Sequence, residues 1–329
     1  MNIYNDYLNT IKQAIQTDRL YENYSKKERK SLVKNSMSYQ TFSASENGIL
    51  PSLQDLMIQV PERKLNQRLG LHPDFAHLIG TENIEDSAIV SMFIDIKGST
   101  NLFKRYSNPT IVIIQNTIQR AAIHTCLIFG GYVHRLQGDG AFVYFGGKEI
   151  NLETASKNAL KAATIFTYFV KNDLKELFLE QGIEKIFTRI GIDLGYDEDV
   201  TWAMAGTGEI SEVTTFSLHT SLASKMQSYA ESNGIVIGEN MVTESKISAD
   251  FYSTVASRTM NNADRYIFQI PEESFRYTQY DFRWDKYLKT LDFVVTNPYT
   301  GRISIKSKTL NNPTYLKPIA ETNKPYFNK

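Results

Sequence analysis

Residues 132–145 read YVHRLQGDGAFVYF. Aromatic and β-branched residues alternate on either side of Gln137-Gly138-Asp139-Gly140, and the two glycines permit a sharp reversal between them. The stretch is therefore a hairpin with one carboxylate at its tip. An aspartate at the apex of a rigid turn is held toward water or toward a ligand, and the surrounding sequence has to decide which.

Upstream, SAIVSMFIDI from Ser87 reads as a buried strand, followed by a turn at Lys97-Gly98-Ser99-Thr100 into a helix ending near Tyr106. Asn108 and Pro109 open a second helix through Ile111, Ile114, Ile118, Ala121, Ala122 and Leu127, which Gly130-Gly131 stops. Downstream, Asn151 caps a long helix from about residue 152 to 180 with a broad apolar stripe. Strands are expected at 187–194 and 201–205, a helix at about 215–231, a strand at 235–238, a helix from about 240, and strands at 251–256 and 265–270. This order implies an α+β fold, one sheet with helices laid on it.

Around this unit, 87–271, lie two extensions. Residues 1–86 read as a helical arm, with Ile3, Tyr7, Leu8 and Ile11 on one apolar face, and an irregular lead-in interrupted by Pro51, Pro61 and Pro73. Residues 272–329 are rich in aromatics, with a hairpin expected around 297–301, and are too short for a sizeable core of their own. They are expected to pack on the main unit or on a second copy.

Thirty-six basic against 36 acidic residues leave no net charge, so the overall balance argues for neither a nucleic-acid nor an anionic-membrane partner. The single cysteine, Cys126, lies in an apolar helical pattern and reads as a buried small hydrophobe in a reducing compartment. No apolar run approaches membrane-helix length, and the N-terminus lacks a signal-peptide layout. A cytoplasmic location is expected.

Asp95 and Asp139 sit at equivalent strand ends. Each alone is readily explained, Asp95 as a helix cap and Asp139 as a turn residue. If the two strands are neighbours, both carboxylates face one spot, and two such charges about 4 Å apart repel by about 4 kcal/mol at an effective dielectric near 20. That pair calls for a cation or a proton. Oxygen ligands without a His or Cys cluster favour Mg²⁺, which keeps its remaining positions for water and phosphates and so points to a nucleoside triphosphate.

FIDIKGST and RLQGDGAFVYF resemble the two metal motifs of the class III nucleotidyl cyclases, the adenylate and guanylate cyclase superfamily, and the resemblance runs from Ser87 to Ile270. It implies a ferredoxin-like or palm-type βαββαβ core sheet with helices packed on it. Asp95 and Asp139 would bind two Mg²⁺ or Mn²⁺ ions, with the Ile96 carbonyl as an extra ligand, and Lys97, Gly98, Ser99 and Thr100 would meet the phosphates. One ion would activate the ribose 3′-hydroxyl and the other stabilise the leaving pyrophosphate. Arg135, four residues before Asp139, matches the family's base reader, and Thr214 matches a second reading position where an adenylate cyclase has an acceptor aspartate. Ser221 stands at the ribose-orienting Asn, Lys225 at the transition-state Arg and Arg258 at a triphosphate-binding Lys, while His219 could take over part of the lost Asn role.

Arginine only donates and threonine is short and neutral, so neither purine pattern is met, and uracil or cytosine fits better. These departures resemble the pyrimidine cyclases of Pycsar antiphage systems, whose cyclic CMP or cyclic UMP activates a separate effector protein. The family builds its sites across a dimer, which implies a homodimer here. An adenylate or guanylate cyclase with unusual recognition, and a catalytically degraded nucleotide sensor, are the alternatives.

Overall fold

A computed structural model describes residues 2–36, 56, 68–183 and 185–306. Helices α1 (Asn5–Leu20) and α2 (Lys26–Ser36) open the chain. The apolar face expected on the arm is present: Ile3, Tyr7 and Ile11 are buried, and α1 lies against α3 (Asn108–Ile128). The Asp18 carboxylate, itself buried, accepts the Ser107 N–H at 2.9 Å and ties the arm to the start of α3. Of the irregular lead-in, residues 37–67 fall outside the described residues except for buried Leu56.

A short strand β1 (Ile84–Asp86) precedes β2 (Ile89–Lys97), and the hairpin β3 (Gly131–Gln137) and β4 (Gly140–Phe145) follows α3. Helix α4 (Leu152–Tyr168) is capped by Asn151, whose Oδ1 accepts the Thr154 N–H at 3.3 Å. It continues through a π-helical turn, Phe169–Leu174, into α5 (Lys175–Glu180) and then β5 (Phe187–Gly195). The strands lie in the order β3, β4, β2, β5, all neighbours antiparallel. With α3 and α4 as the two connecting helices, this is the ferredoxin-like βαββαβ topology.

Strand β2 shows why. Its residues alternate between faces: Val90, Met92, Ile94 and Ile96 join the main core with α1, α3 and α4, while Ile89 and Phe93 join a second, aromatic cluster. That cluster is roofed by the hairpin β6 (Val200–Thr207) and β7 (Ile210–Ser217), with β1 paired to the edge of β6. Phe75 stacks on Trp202 beneath it, ring centroids 3.9 Å apart. Helix α6 (Leu218–Tyr229) covers β5 on the same face, and Gly191 admits it, because a Cβ there would run into the Ala223 carbonyl.

The chain then adds β8 (Gly234–Gly238), α7 (Glu239–Ser245), β9 (Tyr252–Thr254), α8 (Val255–Thr259) and β10 (Tyr266–Ile270). It ends with β11 (Phe275–Phe282), α9 (Trp284–Leu288) and the small hairpin β12 (Val294–Thr296) and β13 (Ile303–Ile305), the last as expected around 297–301.

Three local expectations change. The helix expected from residue 215 begins at Leu218, because Thr214, Thr215 and Phe216 continue β7 and the Ser217 hydroxyl caps α6 by accepting the His219 N–H at 3.1 Å. The turn after Lys97 leads into a six-residue 3-10 helix, Ser99–Lys104. The strand expected at 251–256 stops at Thr254 and turns into α8.

The segment after Pro271 is woven into the fold rather than laid upon it. β11 pairs with β8 on one side and with β10 and β9 on the other, completing an eight-stranded sheet among the described residues. A chain cut after residue 271 would leave β8 as an open edge with Val236 and Ile237 uncovered. It is expected to lose cooperative thermal unfolding, measured by circular dichroism; a cut chain that melts like the full one would show that β11 is dispensable.

Candidate active site

The β2–β4 register sets the two aspartates at neighbouring backbone positions. The β2–β4 register ends at Ile94 opposite Ala141, so one step further Asp95 lies beside Gly140 and next to Asp139. Gly140 is what allows this approach, since a Cβ there would collide with the Ile94 carbonyl oxygen. That carbonyl faces the hairpin, and backbone groups two residues apart in a strand face the same neighbour, so the Ile96 carbonyl also faces the turn. The turn is braced from α3 by the Gln119 amide, which donates to the carbonyls of Gly138 at 3.2 Å and Gly140 at 2.9 Å.

Asp95 already holds a cation. Arg189, its cross-strand partner on β5, donates to Oδ2 through Nε at 3.1 Å and an Nη at 2.6 Å. Sequence reading missed Arg189, although a basic residue set directly before the apolar Ile190 in the strand TRIGIDL was a signal. Among the described residues no group of three or more His, Cys, Asp or Glu side chains converges on one point. A divalent cation held by Asp95 and Asp139 would therefore complete its shell with backbone oxygen, water and substrate, the pattern of a phosphate-bound hard ion. The donor set fits. Behind it, Gly98 takes a left-handed φ of 89° and starts the short 3-10 helix with buried Ser99, leaving Lys97 and Thr100 exposed.

The base-reading positions are rearranged by a β-bulge. The β3–β4 register slips between Val133 and Arg135, so Arg135, not His134, lies opposite Phe142. The bulge turns Arg135 to the face carrying Phe93, Phe142 and Asp95. There it ion-pairs with Glu212 on β7, Nε to Oε2 at 3.2 Å and a closer bond between an Nη and Oε1. A carboxylate acceptor is thus present beside Arg135, supplied two residues before Thr214, and the expectation that the acceptor had been lost is corrected. Thr214 instead lies 3.4 Å from the Tyr144 hydroxyl, which also bonds Thr215 at 2.9 Å. His134 is fully buried, and burial, with Arg135 and His72 adding to it, pushes its pKa down to about 3. It stands as a neutral imidazole with its Nε2 3.6 Å from Glu212.

On α6, Ser221 and Lys225 are both exposed. The Ser221 hydroxyl donates back to the Ser217 carbonyl at 3.2 Å, and Lys225 has no ion-pair partner among the described residues. Two other expected substrate contacts are committed elsewhere. Arg258 forks onto Asp281 of β11 at 2.7 and 3.0 Å and donates to the Tyr229 carbonyl at 3.0 Å, clamping α8 to the sheet and to the end of α6. His219 is buried, with Nδ1 2.9 Å from Asp193, whose other oxygen accepts the Tyr277 hydroxyl at 2.7 Å. Neither side chain is presented as a free substrate ligand.

No family model matches the chain. Among curated proteins, a cytidylate cyclase of Staphylococcus aureus is 37% identical over 255 residues, 76% of this chain and 59% of that protein. A cytidylate cyclase of Escherichia coli is 33% identical over 238 residues, 70% of this chain and 51% of that protein. Over seven-tenths or more of its length the chain is thus similar in sequence to proteins named cytidylate cyclase. It spans between about half and three-fifths of the length of these two relatives. Among solved structures, the adenylyl cyclase CyaB from P. aeruginosa superposes with a TM-score of 0.49 at 20% identity, covering 61% of this chain and 95% of that one. No helix among the described residues is long and apolar enough to cross a membrane.

The Asp193–His219 pair carries a pH dependence. Burial alone lowers the imidazole's pKa, but the hydrogen bond and charge of Asp193, with Asp199 beyond it, outweigh burial and raise it above its ordinary value. A raised pKa gives a stabilisation present in full below the unfolded value of about 6.5 and lost as pH rises through the folded one. The melting-temperature gap between the native protein and His219→Gln should therefore be widest near pH 6 and shrink toward pH 9 in scanning fluorimetry. A gap that widens with pH would contradict this pairing.

Proposed function

We propose that the chain is a nucleotidyl cyclase that converts CTP to 3′,5′-cyclic CMP and pyrophosphate. The observation that carries the reading is the β2–β4 register that brings Asp95 and Asp139 to neighbouring backbone positions, with Gly140 holding the turn against β2 and the Lys97–Thr100 turn following Asp95. The ribose 3′-oxygen forms the new bond to the α-phosphorus, the bond from that phosphorus to the bridging oxygen of the β-phosphate breaks, and the hydroxyl proton passes to solvent. Divalent cations, Mg²⁺ or Mn²⁺ and two per site, would supply Lewis-acid activation of that hydroxyl and charge neutralisation on the triphosphate.

In this reading the chain's residues have distinct tasks. Asp95 and Asp139 would hold the cations, with the Ile96 carbonyl beside them, and Arg189, which rests on Asp95 in this structure, would be a guanidinium available to the phosphates once that carboxylate is taken up. The Lys97–Thr100 loop supplies backbone N–H groups. Ser221 and Lys225, exposed on α6, serve the site of a second copy in a homodimer, with Lys225 as a point charge on the α-phosphate.

Base choice rests on Arg135 with Glu212. Cytosine presents acceptors at O2 and N3 and a donor at its N4 amino group, which match two guanidinium donors and one carboxylate acceptor. Uracil reverses the last two positions, so both protein groups would face a like partner. The relatives' name agrees with cytosine. The resemblance to antiphage pyrimidine cyclases makes a separate effector, gated by cyclic CMP, the expected partner in the cell.

Purified full chain with Mn²⁺ or Mg²⁺ and each of the four nucleoside triphosphates, with products identified by mass spectrometry, tests this. Cyclic CMP is expected from CTP, with Asp95→Ala and Asp139→Ala each lowering turnover by more than about 100-fold. Product from ATP or GTP alone would overturn the pyrimidine assignment. Nucleotide binding without pyrophosphate release under either metal would instead make the chain a sensor. Glu212→Gln, whose amide can both donate and accept, is expected to narrow the preference for CTP over UTP by about tenfold or more; an unchanged ratio would remove Glu212 from base reading.

A further inference from the structure

The two aspartates are held in different ways. Asp95 lies within the β2–β5 ladder, opposite Arg189, and that arginine fixes its carboxylate. Asp139 has no such partner: among the described residues its carboxylate makes no hydrogen bond or ion pair. It also lies beyond the last rung of its hairpin, where Gln137 stands opposite Gly140. Gly138 takes the first corner of this two-residue loop with φ of 58°, exposed and with nothing within 4 Å of where a Cβ would stand, and Asp139 takes the second. A tip with so few contacts is where local opening of a hairpin begins.

What holds the tip comes from α3. The Gln119 amide nitrogen carries two hydrogens, and two carbonyls receive them, Gly138 at 3.2 Å and Gly140 at 2.9 Å. These are the peptide oxygens on either side of Asp139, so a single amide spans that residue. The contacts also fix the amide orientation, because the reverse would set Oε1 against two carbonyl oxygens. The helix behind Gln119 is itself anchored. Ile114, Ile118 and Ala121 are buried, the Asp18 carboxylate accepts the Ser107 N–H at 2.9 Å, and the Tyr4 hydroxyl meets the Thr125 hydroxyl at 2.7 Å. Gln119 stands between these two tethers.

We propose that Gln119 is a positioning residue for the cation site: by clasping the peptide groups on both sides of Asp139 it fixes the direction of that carboxylate and so sets the affinity for a divalent cation. This rests on the cation-binding part of the reading above and not on the choice of base. The amide is committed to the two carbonyls, so it acts through Asp139 rather than on substrate. Groups that orient a metal's ligands from behind account for about 10–100-fold in affinity.

The test removes both donors from a side chain of similar length, Gln119→Met, in the full chain. Mn²⁺ alone is titrated in and the free ion followed by electron paramagnetic resonance, with Asp139→Ala marking loss of the site. Gln119→Met is expected to bind Mn²⁺ about tenfold or more weakly than the native chain while keeping a cooperative thermal melt. Gln119→Asn, whose amide is one methylene too short to span both carbonyls, repeats the measurement with a milder change and should also weaken binding. In turnover of CTP, the Mn²⁺ concentration giving half-maximal rate should rise by a similar factor in Gln119→Met, and excess Mn²⁺ should restore the native rate, a rescue that a merely structural defect would not show. Native Mn²⁺ affinity in both variants while Asp139→Ala loses the ion, or a lowered rate that excess Mn²⁺ does not restore, would overturn the proposal and leave the cyclase reading standing. A native chain that binds Mn²⁺ no better than Asp139→Ala would overturn the cation reading and this proposal with it. Because the titration contains no nucleotide, its outcome is independent of which triphosphate the chain cyclises.

Discussion

The approach of the β3–β4 turn to the end of β2 is the contact on which the candidate site depends. Two carboxylates cannot be set side by side by their own attraction, since at about 4 Å they repel by about 4 kcal/mol. Backbone geometry has to impose the arrangement. Gly140 lets the turn close against the Ile94 carbonyl, Gln119 ties the turn's two carbonyls to α3, and the β2 ladder fixes Asp95 one step beyond its last pair with β4. The electrostatic cost is partly offset by Arg189, whose guanidinium rests on Asp95.

The same sheet solves a second problem by breaking its own rule. Strict alternation along β3 would send Arg135 to the opposite face from Phe142, into the helix-covered core. The bulge at His134 adds one residue, bends the strand and brings Arg135 onto the aromatic face where Glu212 waits on β7. The price is a buried imidazole at His134 with neither ring nitrogen hydrogen-bonded, kept neutral by its burial. Local irregularity of this kind commonly marks a residue whose direction matters more than its comfort.

The C-terminal strand has a part in holding the α6 helix as well as in closing the sheet. Tyr277 of β11 donates to Asp193 of β5, and Asp193 holds His219 in the first turn of α6. Arg258, bound to Asp281 of the same strand, reaches the last residue of α6 through the Tyr229 carbonyl. Both ends of the helix that presents Ser221 and Lys225 are thus fastened through β11. His219 and Arg258, expected at the substrate, act as positioning residues for that helix.

The hairpin 132–145, the strand ending in Asp95, the capped helices and the βαββαβ order were legible because each is a local pattern: period-2 alternation, a glycine pair, an Asn cap, an apolar stripe. Their shared dependence on near neighbours let the chain itself determine that two aspartates close strands meeting at one end of a ferredoxin-like sheet. What the chain left open were the partners across the sheet. Arg189 on Asp95 follows from the β2–β5 register, Glu212 beside Arg135 from a bulge in one hairpin and the approach of another, and the place of β11 from strand pairing between segments distant in sequence. Register, bulges and packing are settled by which faces must be buried together, and that is decided only when the whole sheet closes.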